Sequence, residues 1–217
     1  MNDSKQPIRS SPIFDALDEA LDDSVDEATE EKLEEVVSLI WYGFESPESI
    51  DATIDEAAAG GDAFDTDKVK ATAARELAKK RRAEAGWPKT TDCDRLDRAF
   101  VRLHELGICA VHLAGVTVQD GLSIVSDMLS DEDIPEDRYH GFCFYHSQDL
   151  DHALDGEDLL LAFGFVESDE SPEQAQVKVG RLICEALRNE GLKVDWNGTV
   201  DERIALPQMQ WQRRSPD

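Results

Sequence analysis

The sequence contains no Cys-x-x-Cys pair, no His-Glu-x-x-His pattern, no glycine-rich phosphate loop and no Gly-x-Ser-x-Gly elbow. Each absence removes a class of chemistry. Without cysteines or histidines at ligand spacing, a zinc ribbon, a thioredoxin-like redox centre and a zinc peptidase have no footing. The four cysteines, Cys93, Cys109, Cys143 and Cys184, stand 16, 34 and 41 residues apart and read as single buried thiols. Gly60-Gly61 is followed by acids that would repel a phosphate, and a serine hydrolase lacks its elbow. No metal and no cofactor is expected. No apolar run reaches the ~18 residues that suggest a membrane span, and Met1-Asn2-Asp3-Ser4-Lys5 lacks the basic-then-apolar order of a leader. A soluble cytoplasmic protein is the expectation.

Positive charge is also scarce. Among 217 residues, 48 Asp and Glu face 22 Lys and Arg, for a formal charge of −26. Phosphate binding draws on clustered Lys and Arg, so nucleic acid and anionic membranes are poor partners, whereas a basic protein is compatible. With 41% hydrophobic and 32% charged residues, the chain has enough apolar material for one domain or a domain with a small companion. The acidity is uneven: residues 1–60 carry 17 acids and 3 bases, residues 61–90 carry 5 and 8, and residues 91–217 carry 26 and 11.

Residues 1–86 read as an acidic helical region. Ser11-Pro12 opens a helix with Phe14, Leu17 and Leu21 at helical spacing. A second begins near Thr29 and carries the stripe Leu33, Val36, Val37, Ile40, Trp41 and Phe44, which reads as an ordinary core-facing surface. Ser46-Pro47 starts a third that Gly60-Gly61 stops, and Asp65 or Thr66 caps a fourth running toward Gly86. This fourth helix bears Lys79-Lys80-Arg81-Arg82, whose bases complement a helix C-terminus and could fold back on an acidic block.

Residues 87–217 alternate helix and strand. Thr91 with Asp94 resembles a capping box and opens a helix with Leu96, Phe100, Leu103 and Leu106 on one face. Strands are expected at 108–114, 140–146, 159–166, 192–196 and about 203–211, with helices at 117–129 and 171–191 and a short helical link at 148–154. From residue 108 the order is β-α-β-β-α-β plus one strand, a split βαβ, ferredoxin-like sheet. Leu159-Leu160-Leu161 has no polar alternation, so the N-terminal helices are expected on the sheet face left open by the crossover helices.

The densest polar cluster is Tyr145-His146-Ser147-Gln148-Asp149. His146 could act as acid or base with Asp149 orienting it and Tyr145 donating a hydrogen bond; the plainer reading is helix initiation, with Ser147 as cap. Asp195 and Trp196 could add an acid and an aromatic platform, but a 4-1-3-2 sheet separates the second and fourth strands by roughly 14 Å. Of the histidines at 104, 112, 140, 146 and 152, His112 reads as a satisfied core side chain. Asp131, Asp133 and Asp137 form an acidic loop suited to a basic partner.

Four further stretches, spread from Trp87 to Arg214, carry a resemblance. They are Thr91-Asp92-Cys93-Asp94-Arg95-Leu96-Asp97 with Ala99-Phe100, Gly141-Phe142-Cys143-Phe144-Tyr145-His146 with Gln148-Asp149, Leu159 to Gly164, and Val194-Asp195-Trp196-Asn197-Gly198 with Arg203-Ile204 and Trp211 to Arg214. In these the chain resembles a bacterial family sharing a domain of unknown function. Members often carry Cys-x-x-Cys-Gly after the first strand; this chain has Gly115 to Gly121 there, without cysteine. The resemblance implies domain limits and a soluble bacterial setting, and no reaction. Two functions stay open: a non-enzymatic binding or regulatory protein, inhibitor-like or immunity-like, with an acidic surface; and a small-molecule enzyme or ligand-binding protein using Tyr145, His146 and Asp149.

Overall fold

Oxygen-bearing side chains start most helices of this chain. The computed structural model describes residues 11–21, 25–135, 137–166 and 171–216, which fall into two compact units. One runs to Lys89 and includes the last residues from Gln212; the other is Thr90–Trp211.

The first unit holds α1 (Pro12–Ala20), α2 (Glu27–Tyr42), α3 (Pro47–Gly60) and α4 (Thr66–Glu84). Asp26, Ser46 and Asp65 accept the amides of Thr29, Ser49 and Lys68, three residues on, which satisfies donors that a helix start leaves open. Leu33, Val36 and Ile40 of α2 pack with Ile50 and Ile54 of α3 and Val69 and Ala73 of α4. At α1 the expected Leu17 and Leu21 pack on this core beside buried Ala20, but Phe14 of the same expected stripe is 67% exposed.

The inward stripe of α4 continues through two charged residues, Glu76 and Lys80, both buried. Lys80 Nζ donates to the Ile40 carbonyl at 2.7 Å, satisfying an acceptor in the last turn of α2. Glu76 receives Lys79 at 2.8 Å and Arg75 at 3.3 Å, and Lys79 also bonds Glu19 of α1. The basic run is thus divided by helical geometry: Lys79 and Lys80 meet partners within this unit, while Arg81 and Arg82 are exposed. The C-terminal residues join the same unit, with the Arg213 guanidinium 4.3 Å over the Phe44 ring and the Ser215 amide donating to Glu84 at 2.9 Å.

The second unit holds α5 (Asp92–Glu105), β1 (Ile108–Val111), α6 (Val118–Leu129), β2 (Gly141–Phe144), α7 (Ser147–Leu154), β3 (Leu159–Phe165), α8 (Pro172–Asn189) and β4 (Ile204–Leu206). The class is α+β: eight helices and a four-stranded mixed sheet among the described residues. Its order is β1-β2-β3-β4, with β1 parallel to β2 and the other pairs antiparallel.

This order differs from the ferredoxin-like 4-1-3-2. Strands β1 and β2, joined through α6, pair directly, as consecutive strands with a helical crossover commonly do. Leu192–Trp196 makes one isolated bridge, Asp195 to Ala205, because only Leu192 of that segment is buried and too little apolar surface remains to hold an edge. The last strand is short because Pro207 has no amide to donate and Gln208 turns at φ +58°. Similarly β1 ends before His112, since Leu113 (φ +48°) and Gly115 (φ +70°) turn the chain out of the sheet.

Alternation along β2 sorts the two faces. A side chain at Gly141 would strike Val179 of α8 at 2.7 Å, whereas one at Gly121 of α6 would strike the Phe144 ring at 2.1 Å. Helices α5 and α8 therefore cover one face, and α6 lies on the other against Phe144 and Ala162. Among the described residues no helix is long and apolar enough to cross a membrane.

Candidate functional site

Both parallel strands end at the same side of the sheet, and the polar residues singled out in the sequence converge there. The same alternation that places Phe144 toward α6 places Tyr145 toward α5 and His146 back toward α6. Tyr145, His146 and Asp149 are therefore not one cluster. They belong to two networks on opposite faces.

On the α5 side, Tyr145 is fully buried, its hydroxyl 2.9 Å from Nδ1 of His112. Nε2 of His112 stands 3.3 Å from Asp97 of α5. The Phe100 ring stacks on His112 at 4.3 Å, and Trp211 meets Tyr145 edge-on at 5.8 Å. This chain of Asp97, His112 and Tyr145 ties α5 to the ends of both parallel strands.

On the α6 side, His146 is 4% and Asp149 3% exposed. His146, and not the expected Ser147, is the N-cap of α7. Its Nδ1 accepts the Asp149 amide at 3.3 Å, and the Asp149 carboxylate accepts the His146 amide at 3.2 Å. This is a capping box with imidazole in the place of a hydroxyl. Because Nδ1 accepts, the bonding assigns the ring proton to Nε2, which lies 3.1 Å from Asp149 Oδ2. Burial pushes His146 below the ordinary imidazole value, with Arg203 acting the same way and Asp149 and Asp120 opposing. The ring is thus held neutral.

Arg203 completes this network. Its Nη2 donates to Asp149 Oδ2 at 2.5 Å and to the Leu160 carbonyl at 2.8 Å, so it joins α7 to β3 just before β4 begins. In sequence it is only a base opening a strand; the acid pair Asp201-Glu202 beside it hides the distant carboxylate it serves. Asp97 and Asp120 are equally silent in sequence. Asp120 caps α6 with Thr117 in a second box, and its carboxyl is held low chiefly by the Thr117 hydroxyl.

The remaining candidates lie apart. Gln148 is exposed on α7. Trp196 packs edge-on to Phe163 at 5.5 Å, its indole donates to the Thr199 carbonyl at 3.0 Å, and a side chain at Gly180 would strike it, so it is a packing residue of the α8 face. Asp195 is exposed beside its bridge to Ala205. Asp131, Asp133 and Asp137 are exposed in the loop after α6, where Asp131 Oδ1 accepts the Asp133 amide at 2.9 Å.

Chemically the strand end is largely satisfied from within, although the buried Nε of Arg203 has no hydrogen-bond partner among the described residues. Two helix N-termini meet there, the usual setting for an anion, yet each holds its own carboxylate, Asp120 or Asp149. All four cysteines are buried and unbridged, and burial raises Cys109, Cys143 and Cys184, the opposite of a reactive thiolate. Among the described residues no three His, Cys, Asp or Glu side chains are placed to share a metal ion.

Such a fold and site define an α+β protein with a small mixed sheet whose polar strand end is closed on itself by internal caps and ion pairs. The chain belongs to the family described as a domain of unknown function, DUF6891, whose model matches residues 25–215. The match extends ahead of the resemblance-bearing residues to take in α2, α3 and α4. Among curated proteins and among solved structures, nothing matches the chain.

Proposed function

We propose that this chain is a non-enzymatic binding or regulatory protein, of inhibitor or immunity type, that docks on a basic protein partner. The observation that carries the reading is the formal charge of −26, borne on exposed carboxylates such as Glu30, Glu31, Glu34 and Glu35 of α2 and the loop of Asp131, Asp133 and Asp137. A field of that sign speeds encounter with a cationic surface and repels phosphate-bearing ones. What favours this over a small-molecule enzyme is that His146 and Asp149 spend their hydrogen bonds on α7 and Arg203. Four buried unbridged thiols agree with a reducing compartment such as a bacterial cytoplasm.

The test is cross-linking of the full chain in its source organism at low ionic strength, followed by titration of the purified pair. A basic protein is expected, with affinity falling steeply as salt rises through roughly 0.1 to 0.5 M. Recovery of no basic protein, or an affinity indifferent to salt, contradicts the proposal.

A further inference from the structure

Between Arg102 and Lys178 the sequence carries 17 Asp and Glu but a single Lys or Arg, Arg138. By contrast α5 carries Arg95, Arg98 and Arg102, and α8 carries Lys178, Arg181 and Arg188. Because α5 and α8 pack together on one face of the sheet and α6 lies on the other, charge is sorted by face. The exception is explained: the Arg138 guanidinium lies 4.7 Å over Tyr139, whose hydroxyl is 2.9 Å from His104 of α5. Around α6 itself the exposed charge is mostly negative; the bases near it are Arg138 and Arg203, the latter 31% exposed and paired with Asp149.

The same helix leaves apolar side chains in solvent. Val118 and Leu122 are each 39% exposed and Met128 37%, and Val116, just ahead of the helix, is 56% exposed. Val118 and Leu122 are four apart and share one side of α6; Asp120 and Asp127, seven apart, share its outer crest. Asp131, Asp133 and Asp137 follow beyond its C-terminal end. Single exposed apolar residues are ordinary; here two stand together on one side of α6, flanked around the helix by Gln119, Ser123 and Ser126 and followed past its C-terminal end by the acidic loop.

We infer that the side of α6 bearing Val118 and Leu122 is a docking site for an amphipathic helix of a partner protein, whose apolar stripe covers Val118 and Leu122 and whose Lys or Arg residues meet the Asp131, Asp133 and Asp137 carboxylates past the C-terminal end of α6. Helix-in-groove recognition reads anchors at such spacing, and charges beside the stripe fix its register. The charge pattern selects this occupant over others. An anionic lipid surface is repelled, and a second copy meeting face to face brings the same acids together.

This inference rests on the basic-partner reading, and its test separates the two. The probe is a synthetic helical peptide of Leu and Lys at amphipathic spacing, titrated into the full chain and into Val118→Asp and Leu122→Asp. Val101→Asp, at a position 62% exposed on α5, is the control, and circular dichroism checks each fold. An added carboxylate strengthens purely electrostatic attraction to the peptide, whereas docking on α6 gives the opposite sign. Leu122→Asp is expected to bind roughly tenfold or more weakly, with Val101→Asp unchanged. Equal or tighter binding by Leu122→Asp overturns the site. So does self-association, or adsorption to zwitterionic vesicles, that Leu122→Asp abolishes, since either assigns the face to another occupant. A basic partner that holds wild type and Leu122→Asp alike defeats the α6 site and leaves the broader reading standing; the expected peptide behaviour with no basic partner in the source organism does the reverse.

Discussion

A buried histidine that caps a helix couples a single residue to pH. His146 accepts the Asp149 amide through Nδ1, and its surroundings hold its pKa below the ordinary 6.5. Below that ordinary value the unfolded chain takes up a proton that the folded ring refuses. The unfolded state then binds more protons, so this group subtracts stability as pH falls from about 7 toward 5, and subtracts nothing above. His146→Asn keeps a side-chain oxygen able to cap α7 and removes the titration. Urea midpoints at several pH values are expected to fall less steeply for His146→Asn than for wild type over that window; parallel curves would show that the folded ring does take up the proton. Tyr145→Phe removes the hydroxyl bonded to His112 and is expected to lower stability by about 1 kcal/mol, read from the same denaturation curves.

At the scale of elements, close approach and capping decide what each segment becomes. Helix α6 rests on β2 through Gly121, where an added Cβ would meet the buried Phe144 ring at 2.1 Å. Gly121→Ala gains about 1 kcal/mol of helix propensity but overpacks a filled contact, a cost of about 1–3 kcal/mol or more at so short a distance, so a net loss is expected. A lowered melting temperature that Phe144→Leu partly restores would bear this out; a raised one would contradict it. Caps are also what sequence displays best. Asp65, Thr91, Ser46-Pro47 and Ser171-Pro172 mark helix starts that the structure places within a residue, because a cap is a local contract between neighbours. Strand partners are not local. Nothing in residues 192–196 states that Ile204–Leu206 will take the place beside β3, and the alternation that parts Tyr145 from His146 is visible only once β2 has a face toward α6. Arg203 illustrates the limit most sharply: its carboxylate partner is 54 residues away.

Across the whole molecule the excess of carboxylates sets both stability and encounter. Even if each of the 22 Lys and Arg paired with an acid, as Lys79 does with Glu19 and Arg98 with Glu190, the 48 Asp and Glu would leave the net −26 unanswered, and exposed pairs contribute little each. Self-repulsion is therefore expected to dominate, and thermal midpoints should rise as salt screens it from about 0.01 to 0.5 M; a falling midpoint would mean that ion pairs outweigh repulsion. The absence of Lys and Arg from most of residues 103–177 gives that excess a direction, and α6 stands where it is joined by exposed apolar side chains. The most direct measurement is backbone amide shift mapping of the labelled full chain during titration with the Leu and Lys peptide. The largest shifts are expected within residues 116–137, fading as salt is raised. Shifts concentrated on α2 and α3, with residues 116–137 unmoved, would contradict a docking face on α6.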